Sequence, residues 1–380
     1  MNTIYLDHAA TTRVLPEAAQ AALRVMTQDY GNPSSLHHLG VQAAKEVAGH
    51  RAEVAAALGC KPEEIYFTSC GTEGDNWAIS LAVHLGRHKG KHIITTAVEH
   101  AAVLEPCKAL ELQGYEVTYL HPDATGHIRI EDLEAALRPD TVLVSMMLVN
   151  NETGAIQPVA EAAQVLKRHK SAALLHCDAV QGFLKLPFTP KSLGADLLTV
   201  SGHKIGGMKG VGALYIRSGL RAVPLLRGGG QEKGLRSGTE ATPQIAAFAA
   251  ACTAGHQALD QHREYLSGLK AYTLEKLQAE VPGLVVVSQG DAPHILAISL
   301  PGYPSQVVVR YLSDKGICLS SGSACHKGKA SHVYASMNLS KAVRDGMLRI
   351  SFGPENTREE IDALAEALHS ATKELISMGR

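Results

Sequence analysis

Cys325 stands in Ser320-Ser321-Gly322-Ser323-Ala324-Cys325-His326-Lys327-Gly328-Lys329, a polar stretch with cationic neighbours and no apolar periodicity. A free thiol has a pKa of about 8.5, and nearby lysine or protonated histidine raises the fraction present as nucleophilic thiolate. The surroundings suit a reactive sulfur, although a loop cysteine without a role fits the same local sequence. A second group lies upstream. Lys204, in Ser201-Gly202-His203-Lys204, follows the apolar run 196–200 and precedes Ile205-Gly206-Gly207. A positioned lysine amine forms Schiff bases with carbonyls, and pyridoxal phosphate (PLP) uses such a lysine together with an acid for its pyridinium nitrogen. Asp178 is the candidate acid: it ends the apolar run Ala172 to Cys177, where a buried carboxylate needs a cationic partner. Asp178 also suits a helix cap for the next segment. Gln181, three residues on, is placed to reach a ring oxygen.

An anion needs a cradle, and Thr68-Ser69-Cys70-Gly71-Thr72-Glu73 offers one, because small residues there join a strand to a helix beginning near Thr72. Ser201, His203 and Thr239 are further candidate donors to a phosphate. His100 falls between a strand and the next helix, at the same sheet edge, where it could stack on an aromatic ring or move protons. Arg349, in Met347-Leu348-Arg349-Ile350-Ser351, needs a planar anion among apolar neighbours. A substrate carboxylate and an internal Asp or Glu both satisfy that need.

The elements that must position these groups show in the apolar pattern. Runs at 64–68, 91–96, 115–120, 141–148 and 172–177 read as buried strands, and amphipathic stretches at 72–86, 101–113 and 158–169 read as helices between them. Such alternation implies an α/β fold, a mainly parallel sheet with helices on both faces, with ligands beyond the carboxyl ends of its strands. Runs at 196–201 and 211–217 add two strands, the second a candidate antiparallel neighbour. One long helix is expected from Pro243 toward Glu280. Strands at 294–300, 316–320 and 346–352 and helices at 304–314 and 357–378 then suggest a smaller α+β domain. The expected division is 15–257 for the large domain, with 1–14 and 258–380 in the small one that carries the Cys325 loop.

Length and composition agree with two domains: 380 residues, 45% hydrophobic, exceed what one core usually fills. The formal net charge of −1, with both signs interspersed, gives no bulk field for holding nucleic acid or a membrane surface. Seven scattered cysteines without a CxxC pair argue for reduced thiols, and the start of the chain lacks a leader pattern. A cytoplasmic protein is expected. No His/Cys spacing typical of a metal site appears.

Taken together and in this order, the motifs resemble the class I cysteine desulfurases of the NifS/IscS family, in the class V aminotransferase group of PLP enzymes. The likeness spans nearly the whole chain, from Tyr5-Leu6-Asp7-His8-Ala9-Ala10-Thr11-Thr12 and Gly31-Asn32-Pro33-Ser34-Ser35, through Glu99-His100, Asn150-Asn151-Glu152-Thr153-Gly154 and the Asp178/Gln181 pair, to Arg236-Ser237-Gly238-Thr239 and Ser320 to Cys325. The resemblance implies the PLP fold type I and a homodimer. Lys204 would carry the cofactor, His100 would stack over the ring, and Asp178 would hold its nitrogen. Asn151 and Gln181 would contact ring substituents and substrate. Gly71, Thr72, Ser201 and His203 would bind phosphate, with Thr239 reaching in from a second subunit, and Arg349 would bind the substrate carboxylate. L-Cysteine would become L-alanine, leaving a persulfide on Cys325 for a sulfur acceptor such as an iron–sulfur scaffold, a tRNA-thiolation enzyme or a thiamine-pathway carrier.

Two features depart from the family pattern. Cys70 replaces the usual small residue of Gly-Ala-Thr-Glu, and His326-Lys327-Gly328-Lys329 stands where many relatives have a Ser/Thr-rich run. Selenocysteine lyase, cysteine-sulfinate desulfinase and aminotransferase chemistry fit the same fold, and a PLP-free sulfur carrier or redox protein would use Cys325 alone.

Overall fold

Apolar runs of about five residues are too short to pack as helices, and seven of them join in one sheet in the computed structural model, which describes residues 3–288, 290–321 and 331–378. After the short β1 (Ile4–Tyr5), these strands are β2 (Ile65–Thr68), β3 (His92–Thr96), β4 (Glu116–Leu120), β5 (Thr141–Ser145), β6 (Leu174–Asp178), β7 (Leu197–Ser201) and β8 (Gly212–Ile216). Their spatial order is β2-β8-β7-β6-β5-β3-β4. Strands β4, β3, β5, β6 and β7 run parallel, while β8 is antiparallel to both β7 and β2. Every residue of β3, β5, β7 and β8 is buried, as a sheet covered on both faces requires.

Helices α1 (Pro16–Thr27), α2 (His38–Leu58), α3 (Gly71–Gly86), α4 (Ala101–Glu111), α5 (Ile130–Ala136), α6 (Val159–Arg168) and α7 (Pro190–Leu193) precede, separate and cover these strands. The C-terminal third adds α8 (Thr242–Gln257), α9 (Leu259–Glu280), α10 (Ser305–Asp314), α11 (His332–Ser336), α12 (Lys341–Asp345) and α13 (Arg358–Glu374). Its strands are β9 (Val285–Ser288), β10 (Ile295–Ser299), β11 (Ile317–Cys318) and β12 (Met347–Ser351). Strand β10 lies between β12 and β9, antiparallel to both, and β1 pairs with β11 in parallel. A second buried apolar cluster joins Leu6 to side chains of this region, among them Leu266, Leu296, Leu348, Phe352 and Leu368. Among the described residues no helix is long and apolar enough to cross a membrane.

The single long helix expected from Pro243 to Glu280 is two helices that meet at Ala258. The reason lies in what each half buries. Helix α8 buries Ile245 through Ala249 with Ala251 and Cys252, packing on α1 and α2, whereas α9 buries the sparser stripe Leu266, Leu269, Thr273 and Leu277 and packs on α13. A straight helix could not serve both partners. Strand β9 has no counterpart in the expected elements; of its four residues Ser288 is buried and the three valines are half-buried or exposed.

Helix α3 lies unusually close to the sheet. A Cβ placed on Gly74 would come within 2.6 Å of Thr199 Cγ2 on β7. Gly74→Ala is therefore expected to destabilise the fold by about 1–3 kcal/mol through overpacking, against a helix-propensity gain of about 1 kcal/mol. Urea denaturation of the two proteins measures the net sign.

Candidate active site

Strand β6 ends at Asp178 and β7 at Ser201, so both open at the carboxyl edge of the sheet, beside the first turn of α3. A cavity of 260 Å³ lies there. Its lining brings together Gly71, Thr72, His100, Asn151, Asp178, Gln181, Ser201, His203, Lys204 and Arg349, although they come from six separate stretches of the chain. Thr239 is exposed and lies outside this lining. Cys325 falls outside the described residues. On either side of the stretch that holds it, Ser320 pairs with Arg349 through the backbone, and His332 Nε2 lies 2.9 Å from the Glu99 carbonyl.

Lys204 sits in the turn after β7, and its Nζ donates to the carbonyls of Ala9 at 2.6 Å and Ala10 at 2.8 Å. Those acceptors are themselves fixed. Gln181 Nε2 donates to the Ala9 carbonyl at 2.8 Å, the Ala9 N–H donates to Ser351 Oγ at 2.9 Å, and the Thr12 N–H donates to the His203 carbonyl at 2.9 Å. The turn after β1 thus delivers backbone oxygens to the amine. His203 Nδ1 lies 3.2 Å from Thr11 Oγ1; burial, with the Lys204 and Lys209 charges behind it, lowers its pKa to about 4. It is therefore a neutral ring at neutral pH.

Asp178 is 5% exposed, and its carboxylate accepts from the Val180 N–H at 2.9 Å. Burial and the neighbouring Asp75 raise its proton affinity above the usual carboxylate range, opposed by the Val180 hydrogen bond, His100 and His176. A cation at this position would relieve that cost. Ser201 Oγ is buried and finds no hydrogen-bond partner among the described residues. Cys70, the residue before α3, makes no side-chain cap, so the first-turn N–H groups face the cavity region without a capping oxygen. An unpaired hydroxyl and an uncapped helix start fit a phosphate, and a buried acid fits a pyridinium nitrogen. These residues therefore fit PLP.

His100 caps α4, with Nδ1 accepting from the Ala102 N–H at 3.1 Å, which leaves the proton of the neutral ring on Nε2. Arg349 is buried, and the internal-acid alternative is realised: Nη2 donates to Asp7 Oδ1 at 2.7 Å and Nη1 to the Asn151 carbonyl at 3.0 Å. Its Nε has no partner among the described residues. Three contributors escaped the sequence reading: Asp75, the Ala9 and Ala10 carbonyls, and Asp7 as the partner of Arg349. Asp75 could have been found from its spacing, four residues after Gly71 and so on the same helix face. Backbone acceptors leave no mark in side-chain pattern.

A lysine and an acid at neighbouring strand ends of such a sheet define a PLP enzyme, and the chain belongs to the class-V aminotransferase family, whose model matches residues 4–364. Within that family the likeness is to cysteine desulfurases. A cysteine desulfurase of Trichormus azollae is 42% identical over 381 residues, covering 99% of this chain and 94% of that protein. Among solved structures, a NifS-like protein superposes with a TM-score of 0.93 at 35% identity, over 98% of this chain and 100% of the other. SspA, solved in complex with cysteine, gives a TM-score of 0.80 at 34% identity, over 93% and 100% of the two chains. PLP is the cofactor of this family.

The raised proton affinity of Asp178 has a measurable sign. A carboxyl whose pKa is higher folded than unfolded adds stability below its unfolded value, about 3.9, and loses it as pH rises through the folded value. In the cofactor-free chain, Asp178→Asn should therefore lessen the fall in Tm as pH rises through the range from acid to neutral. Thermal unfolding of both proteins across that range checks it.

Proposed function

We propose that this chain is a PLP-dependent cysteine desulfurase that converts L-cysteine to L-alanine and carries the released sulfur on Cys325. One observation carries the reading: Lys204 and Asp178 face a single cavity beside an uncapped helix start. The desulfurase names of the relatives, and the complex of SspA with cysteine, support the substrate.

Gly71, Thr72, Ser201 and His203 would hold the cofactor phosphate, Asp178 its ring nitrogen, and His100 one face of the ring. Asn151 and Gln181 are placed for the ring substituents, and Lys204 for the covalent link. When bound, PLP supplies an electron sink that makes the Cα proton of an attached amino acid acidic. The Lys204 amine, kept near the cavity by the Ala9 and Ala10 carbonyls, takes that proton. Arg349 holds the substrate carboxylate, its charge already shared with Asp7. The Cys325 thiolate attacks the substrate sulfur: the S–S bond forms as the C–S bond breaks, and the carbon fragment takes one proton at Cβ, recovers the one that Lys204 removed from Cα, and leaves as alanine. Four of the other thiols are poor rivals, because burial pushes Cys60 and Cys107 up to about 12 and raises Cys177 and Cys252 well above the ordinary value.

We assign residues 15–257 to the cofactor-binding domain and 1–14 with 258–380 to the small one. A homodimer is the proposed assembly, with Thr239 completing the phosphate site of the other subunit. Its exposure supports this. Exposed apolar side chains on and between α1 and α2, including Leu23, Met26, Tyr30 and Leu36, offer a surface for such pairing. The proposed compartment is the cytoplasm, where the six described free cysteines would stay reduced. The sulfur would pass to an acceptor protein for iron–sulfur clusters or thiolated cofactors and tRNA.

Cys325→Ala should bind PLP as wild type does and lose alanine formation from cysteine by about a hundredfold or more. Lys204→Ala should lose the visible absorption of the lysine-linked cofactor. Full desulfurase turnover in Cys325→Ala would remove the thiol from the mechanism, and a colourless wild type that PLP cannot reconstitute would remove the cofactor. Arg349→Ala should raise KM for cysteine by about tenfold or more, measured by steady-state alanine release.

A further inference from the structure

The roles assigned so far leave one acid at the cavity without a task. Asp75 lies in the second turn of α3, is 1% exposed and lines the same cavity as Asp178. Its Oδ1 accepts no hydrogen bond among the described residues. The group that faces it is His176 on β6, whose Nε2 is 3.5 Å from Asp75 Oδ1. That imidazole is fully buried and held on both sides, with Nδ1 2.8 Å from Ser145 Oγ and Nε2 3.2 Å from Thr199 Oγ1. The close approach of α3 to the sheet at Gly74 and Thr199 is what brings the acid down onto the ring.

Several titratable groups share this buried region. From the sheet come His176, Cys177 and Asp178; from α3 comes Asp75; and from the turn after β3 come Glu99 and His100. Glu99 is also buried, with Oε1 accepting from Thr96 Oγ1 at 2.9 Å and from the Met147 N–H at 2.8 Å. Three carboxyl groups so placed cannot all ionise cheaply, since each negative charge raises the proton affinity of the others. The largest effects on Asp178 are its own burial and the charge of Asp75. That charge is not needed to hold PLP by contact: the cofactor-binding assignments above already provide for the phosphate, the ring nitrogen and the ring face.

We propose that Asp75 is a positioning residue for the reaction: its negative charge, set against His176, keeps a proton on the pair made by Asp178 and the pyridine nitrogen, and so favours the cationic ring. The inference rests on the PLP reading. A cationic ring is the stronger electron sink, so the effect falls on the Cα proton step and not on cysteine binding.

The test has one arm without cofactor and one with it. In the cofactor-free protein, the stability step attributable to Asp178, obtained by subtracting the Asp178→Asn profile of Tm against pH, should move down by about one pH unit in Asp75→Asn. In the reconstituted protein, Asp75→Asn should bind PLP about tenfold more weakly and should shift the pH dependence of the cofactor absorption. It should lower kcat while leaving KM for cysteine within about twofold, and Asp75→Glu should restore much of each change. An unmoved stability step together with wild-type PLP affinity would overturn the proposal. Should Asp75→Asn not fold, His176→Gln decides in its place: loss of the opposing imidazole should move the Asp178 step upward, and no movement overturns the assignment. A wild type that fails to take up PLP would sink the functional reading instead, while the cofactor-free profiles would still decide the influence of Asp75 on Asp178.

Discussion

Everything at this site follows from placing ionisable groups where the sheet excludes water. Asp178 ends a strand whose last four residues are buried, and a carboxylate there is costly unless a cation or a proton accompanies it. The fold supplies too little compensation of its own, one backbone N–H and two imidazoles against a second acid. It therefore stores a demand for positive charge at one point in space. Lys204 and Arg349, also at the cavity, are already engaged with the Ala9 and Ala10 carbonyls and with Asp7, so neither meets that demand. A ligand bearing a basic ring nitrogen does.

The architecture was largely legible from the sequence because its signals are local. Buried parallel strands read as short β-rich runs, and the positions of β2, β3, β4, β7 and β8 differ from expectation by a residue or so at each end. The end of β8 beside β2 and β7 was foreshadowed by the glycine turn before it. The break at Ala258 was not legible, because helical periodicity runs through it and only the change of packing partner forces the turn. Strand β9 has no counterpart in the sequence reading even though Val285-Val286-Val287 is itself a β-prone run.

At the cavity, side chains with strong chemical preferences could be picked out in advance. A lysine among glycines, an acid at the end of an apolar run and an arginine inside one all violate the local pattern, and such violations mark function. What escaped notice obeys the local pattern. Asp75 looks like an ordinary polar residue in an amphipathic helix until Gly74 is seen to press that face onto the sheet. The resolution of Arg349 into a partner of Asp7 likewise depends on contacts between opposite ends of the chain, which no window of sequence contains.

The segment from Asp7 to Thr12 has a further consequence for how this enzyme can vary. It has no helix or long strand to recommend it, yet it supplies the oxygens under Lys204, the counter-ion of Arg349 and a clamp on the His203 turn, reaching across as many as 342 positions of sequence. Mutational tolerance should therefore not follow secondary structure. A substitution or an engineered join within these few residues alters the catalytic centre directly, whereas the exposed faces of long helices such as α9 can drift with little effect on chemistry.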